Sequence, residues 1–256
     1  MKRSYSRLFK TAAVLIVLLV CWQLAYASGR WSAYVLPGPE KVAGSFWKMV
    51  ESGVLAKHIL VSFQRVASGF VIAFGLAFLL ALAASLKADI EDYYGAFLEF
   101  MRNVPPISLI ALLILWFGIG EKSKIIIIVL ASFFPMFLNI RKGLSSCDRK
   151  LLEVGQSYRF SRMRLFFRIV LPYAAPDILV GMRIGLGYAW RAIIGAEMIA
   201  AGSGLGYLIL DAQQMSRSDK VIVGIFVIGF VGVLCDKVFS FLMKKLTHGG
   251  VGDSWS

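Results

Sequence analysis

Six apolar stretches divide this sequence, and they demand a lipid solvent more than an aqueous one. An α-helix needs roughly 20 residues to cross a hydrocarbon core, and the stretches at about 11–27, 59–86, 95–119, 124–140, 176–200 and 220–242 reach or approach that length. Within 256 residues they leave only short connections. Composition agrees, since 58% hydrophobic residues and a mean hydropathy of +0.73 amount to more apolar surface than a soluble domain of this size buries. The chain reads as an all-α membrane protein of about six transmembrane helices. It forms a single transmembrane unit over 11–243 between tails at 1–10 and 244–256.

Basic residues orient it. Lys2, Arg3, Arg7 and Lys10 precede the first span, eight Lys and Arg residues lie between Arg141 and Arg168, and Lys244 and Lys245 follow the last span. Positive charge is retained on the cytoplasmic side of a bilayer, so both termini and the loop over 141–175 are expected inside. The formal net charge of +13 then reflects orientation, not affinity for nucleic acid. A basic start, a short apolar core and Ala25-Tyr26-Ala27 before Ser28 also fit a cleavable signal peptide, and this alternative stays open for the first span.

Local signals place the connections. Pro37-Gly38-Pro39 marks a turn, and the apolar spacing from Glu40 to Val50 predicts a short external surface helix. Ser62, Gln64, Arg65 and Ser68 lie near one end of the second span, where a long side chain is expected to snorkel. Pro105-Pro106 interrupts the third span and suits a helix start, Gly118 to Lys122 is an external turn, and Pro135 is expected to kink the fourth span or end its regular part. Gly202-Ser203-Gly204-Leu205-Gly206 reads as a flexible turn in an external loop that runs to Asp219.

Little in the chain suits catalysis. The sequence has no G-x-x-x-x-G-K-[ST] loop to cradle phosphate, so any ATP is expected to be bound by a partner subunit, with no cofactor in this chain. His58 and His248 lie near no cluster of cysteines or carboxylates, and Cys21, Cys147 and Cys235 are far apart; neither a metal site nor a disulfide framework is indicated. A channel would need a repeated polar filter, and a gradient-driven transporter would need inverted repeats with interrupted helices. The sequence offers no convincing case of either.

The stretch from Glu153 to Pro172 is the most specific. Phe160, Phe166, Phe167 and Ile169 form an apolar stripe among Arg159, Arg162, Arg164 and Arg168, which by composition alone also suits a helix lying on anionic lipid. Glu153-Val154-Gly155, followed at the proper distance by Phe166-Phe167-Arg168-Ile169-Val170-Leu171-Pro172, resembles the "EAA" loop of permease subunits of binding-protein-dependent ATP-binding-cassette importers. The runs Arg102 to Lys124, Phe133 to Leu144 and Ile178 to Met198 are similar to the branch that carries nitrate, sulfonates and taurine. The resemblance covers the chain from roughly Val61 to the end of the last helix.

That resemblance implies that the loop over 141–175, between the fourth and fifth spans, folds as a coupling-helix pair. It would dock in the ATPase subunit through Glu153, Phe166, Leu171 and Pro172. The family usually carries glycine at the seventh position counted from the motif's Glu, where the pair turns; here that position is Arg159, and a left-handed turn costs an Arg residue strain. Gly155 offers an alternative place for the turn. The resemblance further implies a bacterial inner-membrane permease that translocates a small solute, an anion such as nitrate, a sulfonate or taurine. Its partners would be an ATP-binding-cassette ATPase, an external solute-binding protein and a second permease copy, most simply in a homodimer surrounded by lipid. Relatives that carry heterocyclic vitamins or their precursors look similar in this subunit.

The fifth span holds a second pattern. Arg183, Gly187, Trp190, Ile194 and Glu197 recur at spacings of four, three, four and three, which places them on one helical stripe. Intramembrane charge is costly and faces a path or another helix, so Arg183, Trp190 and Glu197 are candidates to line the translocation path. Anchoring at the interface is the plainer alternative. Arg191 lies off this stripe, and Gly181 and Gly185 form a small-xxx-small pair suited to close helix packing.

Overall fold

The computed structural model describes residues 2–86 and 89–246, and among these every regular element is helical. In chain order the helices are α1 (Lys2–Ala27), α2 (Pro39–Glu51), α3 (Val54–Leu86), α4 (Asp89–Asn103), α5 (Ile110–Phe117), α6 (Glu121–Ser145), α7 (Arg149–Ser157), α8 (Arg162–Leu165), α9 (Leu171–Ala200), α10 (Leu205–Gln214) and α11 (Ser218–Leu246). A 3₁₀ turn, Pro106–Leu109, precedes α5, and a π turn, Phe166–Val170, joins α8 to α9.

Four helices are long and apolar enough to cross a membrane: Val54–Ser85, Glu121–Ser145, Arg162–Ala200 and Ser218–Lys245. Where the third span is expected there are two helices, Gly95–Asn103 and Pro106–Phe117, that meet at 90°. The cause is local. Pro105 has φ −60° and ψ 124°, an extended conformation, and with Pro106 it withholds two amide hydrogens from any helix running through. The apolar part of α1, Ala12–Ala27, is shorter than the other spans. Among the described residues the apolar helices are thus four long ones, a bent pair and a short N-terminal one.

Two helices run further than the prolines alone suggest. α6 continues through Pro135 to Ser145. The fifth span begins well before residue 176, because α8, the π turn and α9 run on from Arg162 to Ala200. Widening the helix by one residue ahead of Pro172 and Pro176 lets the rings be accommodated without a stop. The part of 141–175 outside these long helices is therefore only 146–161.

α3, α6 and α9 form the centre, packed through small residues. A Cβ on Gly69 would meet Ile128, one on Gly143 would meet Asp177 and Ala174, and one on Gly185 would meet Met136 and the Ser132 carbonyl. Close helix approach is what glycine permits in a membrane, where lipid provides no hydrophobic drive for association. The core has an outer part around Leu55, Val66, Ile127, Ile128, Ile193, Leu205 and Val223, and an inner part around Ala73, Ala77, Met136, Phe137, Ile140 and Ala174. The predicted surface helix is α2: Pro39 opens it, and Val42, Ser45 and Met49 are its buried face. α1 meets the rest through Trp22, whose Nε1 donates to Pro37 O at 3.1 Å and whose ring lies over Phe226.

Candidate functional site

The helix pair between α6 and α9 carries the first site. Asp148 caps α7 by accepting from the Lys150 amide, and Ser161 caps α8 by accepting from the Arg164 amide. Between them the chain reverses at Arg159, which has φ +55°. The Arg159 amide donates to Gln156 O at 2.8 Å and the Phe160 amide donates to Gly155 O at 3.0 Å, the paired bonds of a Schellman termination. The turn thus stays where a glycine would be easiest and Arg159 bears the strain. Gly155 does not relocate it. Its role is packing, since a Cβ there would lie 2.7 Å from Ile169 Cδ1 and 2.9 Å from Leu165 Cδ1.

The pair presents a surface different from the one the motif suggests. Phe166 and Leu171 pack against the inner core, together with Phe70, Phe133 and Val170. The outward apolar groups are Leu151, Val154, Tyr158, Met163 and Phe167, with Tyr158 at 74% and Phe167 at 57% exposure. Glu153 and Pro172 are exposed beside them. Arg164 lies over the Phe160 ring at 5.7 Å.

The α9 stripe is divided among different tasks. Glu197 has no accessible surface. It accepts from Ser62 Oγ at 2.9 Å, from Arg65 Nη1 at 2.8 Å and from the Gly206 amide at 3.0 Å. Arg65 also grips Glu121 with two bonds of 2.6 Å and donates to Ser203 O at 2.6 Å; Lys124 Nζ donates to Glu121 at 2.8 Å. Arg65 therefore does not snorkel, being 6% exposed, and Glu197 faces packed protein and not an open path. Two cations and two carboxylates balance each other where α3, α6 and α9 meet.

The Gly202–Gly206 run closes this network and is not a loose turn. Gly204 has φ +114°, and a Cβ there would fall on the Glu197 carboxylate. A Cβ on Gly206 would fall on Ile194 O. The Gly204 amide donates to His58 Nδ1 at 2.9 Å and the Leu205 amide to Ser62 Oγ at 2.9 Å. α10 follows at once, its Leu205, Leu208 and Ile209 buried, where an irregular loop was expected.

Trp190 is 9% exposed and donates from Nε1 to Ile228 O at 3.3 Å, so it joins α9 to α11. Arg183 makes two bonds of 2.7 Å to Asp236 of α11, with 34% and 48% of the side chains exposed. The structure brings Arg183 to a partner that the sequence reading missed. A lone carboxylate within the apolar run 220–242 was the available signal, since intramembrane charge normally comes with a counter-charge.

Long apolar helices, a bent span and a basic, capped helix pair on one side define the class: a polytopic membrane transport subunit. Comparison with known proteins gives the family. The family described as "Binding-protein-dependent transport system inner membrane component" matches residues 73–248, and the chain belongs to it. It is 39% identical over 229 residues to the protein of Escherichia coli (strain K12) named as the aliphatic sulfonates transport permease SsuC, covering 90% of this chain and 87% of the relative. The similarly named protein of Bacillus subtilis (strain 168) is 37% identical over 230 residues, covering 90% and 83%. The Escherichia coli taurine transport system permease TauC is 32% identical over 244 residues, covering 93% and 89%.

Among solved structures, an amino acid ABC transporter chain matches at a TM-score of 0.62 with 15% identity, covering 79% of this chain and 97% of that one. The MetNI methionine transporter matches at 0.55 with 16% identity, covering 77% and 98%. These share the fold. This chain is a membrane-spanning permease subunit of an ABC importer.

Proposed function

We propose that this permease carries a small oxyanion, a sulfonate, taurine or nitrate, across a bacterial inner membrane, with ATP bound and hydrolysed by a separate subunit docked on α7 and α8. The observation that carries the docking is the outward apolar set Leu151, Val154, Tyr158, Met163 and Phe167 among exposed arginines on a capped, closely packed turn. Apolar groups exposed together on a basic surface mark a protein interface. Glu153 and Pro172 would contribute at its margin, while Phe166 and Leu171 would hold the pair to the inner core. The basic clusters beside the spans support cytoplasmic termini. Two copies of the chain, in lipid, would enclose the path, and an external binding protein would deliver solute to the face bearing α2 and α10. The named relatives support the anion class.

The test is purification of the tagged chain in mild detergent and identification of what accompanies it. A P-loop ATPase is expected to co-purify with the parent chain and to be lost from Tyr158→Asp/Phe167→Asp, with the permease still eluting as one species. An assembly that keeps its ATPase in this variant would overturn the docking surface. A homogeneous parent preparation without any ATPase would overturn the coupling.

A further inference from the structure

Arg191 is the charge on α9 that the helix packing leaves unanswered. It lies nine residues before Ala200, about 14 Å from the outer end of the helix at 1.5 Å per residue, close to the middle of a hydrocarbon core about 30 Å thick. It is exposed, and so are Ile184, Tyr188 and Ile199 on the same side of the helix. Its guanidinium lies 5.3 Å from the centre of the Tyr188 ring, three residues toward the cytoplasm, with Nη2 above Gly187, where a Cβ would stand at 3.4 Å. The side chain is thus folded back along the span. It is turned away from the outer interface to which a snorkelling arginine would reach.

A guanidinium at this depth needs an anion, because a bare charge in hydrocarbon is expensive. The carboxylates of α3, α6, α9 and α11 are Glu121, Asp177, Glu197, Asp219 and Asp236. Glu121 and Glu197 hold Arg65, and Asp219 holds Arg217 at the outer end. Asp177 holds Lys142 at the inner end, and Asp236 holds Arg183. Each carboxylate of these four helices therefore already has its cation within the chain.

We infer that Arg191, cradled by Tyr188 and Gly187, is the mid-membrane site for the anionic group of the transported solute. A guanidinium fork matches two of the three oxygens of a sulfonate or nitrate, and the aromatic face holds the fork in place without neutralising it. This rests on the anion reading of the transporter. It also reverses the order in which the arginines of α9 stand in the sequence pattern: Arg183, on the stripe, is already paired, whereas Arg191, off it, is available to solute.

The experiment uses the assembled transporter with its ATPase and binding protein in liposomes, measuring uptake of labelled taurine, ethanesulfonate and nitrate together with ATP hydrolysis. Arg191→Gln is expected to lower uptake of the transported anion by about tenfold or more while ATP hydrolysis stimulated by loaded binding protein persists, and Arg191→Lys, which keeps the charge but not the fork, to recover only a minor part of it. Uptake by Arg191→Gln within about twofold of the parent overturns the site and leaves the anion reading standing. A parent transporter that imports none of the three anions but does import an uncharged or cationic solute overturns the anion reading, and this inference with it.

Discussion

Arg65 and Glu197 stand 132 residues apart in the chain and meet at 2.8 Å in the buried interior. Their contact joins α3 to α9, and Glu121 on the other side of Arg65 adds α6. Breaking a buried pair costs more than the pair contributes over an apolar replacement, because the remaining partner is left desolvated. Glu197→Ala strands the Arg65 Nη1, the Ser62 hydroxyl and the Gly206 amide, and should destabilise the permease by about 3 kcal/mol or more. Thermal unfolding in detergent checks this, and an unchanged midpoint would show that the network contributes nothing.

The Gly202–Gly206 run gives a prediction with its own control. Gly206→Ala places a methyl group on Ile194 O and against Glu197 Cβ, backbone and core that cannot step aside, whereas Gly202 has open space around it. Gly206→Ala should cost several kcal/mol and Gly202→Ala stay within about 0.5 kcal/mol. The yield and elution profile of the two variants would separate them, and equal behaviour would refute the packing role.

Arg159 bears a left-handed backbone at φ +55°, a conformation that costs an ordinary residue about 1–2 kcal/mol. Arg159→Gly should therefore stabilise the α7–α8 turn by about 1 kcal/mol, and Arg159→Val, β-branched, should weaken it. Amide exchange of Phe160, whose bond to Gly155 O closes the turn, is the readout; slower exchange in the glycine variant is expected.

How far the sequence foretold this arrangement differs by feature. The positions of the long helices follow from runs of apolar residues, a local property, and so does the α2 face that buries Val42 and Met49. The bend at Pro105 was visible as a proline pair, but its 90° angle depends on what the two halves pack against. Arg65 read as a snorkelling residue because its partners come from α6, α9 and the glycine-rich run, separations over which sequence spacing carries no information. In the α7–α8 pair the apolar residues were legible, yet Phe166 and Leu171 face inward while Tyr158 and Phe167 face out. Which side of so short a helix meets the bundle is set by the turn, not by periodicity.

The Arg183–Asp236 bridge predicts a measurable coupling. Either single change, Arg183→Met or Asp236→Asn, removes the bidentate bridge from α9 to α11, so both should destabilise, while the double change should recover part of the loss. A coupling energy of about 1–3 kcal/mol is expected from a double-mutant cycle on melting midpoints. Strict additivity would mean that water or lipid headgroups already satisfy each charge.

Cys147, in the connection between α6 and α7, gives a pH-dependent one. Partial burial, and after it the neighbouring Asp148 carboxylate, push its thiol above the ordinary range. The thiolate is the reactive form, so alkylation should be slow near neutrality and accelerate as pH rises. Asp148→Asn removes the anion, lowers the thiol pKa and should speed labelling at a fixed pH. A slower reaction in that variant would contradict the sign.

The helix that runs unbroken from Arg162 to Ala200 is gripped by α6 at its midpoint. Gly181 abuts Asn139 and Met136, Gly185 abuts Met136 and Ser132, and Gly181 lies nineteen residues from either end. A rod held at its centre behaves as a seesaw. With arms of about 28 Å, a tilt of about 10° would carry the docking end and the Glu197 end roughly 5 Å in opposite directions. If the ATPase docks on α7 and α8 as proposed, pressure at that end would move the Glu197 end with no separate messenger. Spin labels at the two ends of the rod should report opposite displacements in one ATP cycle.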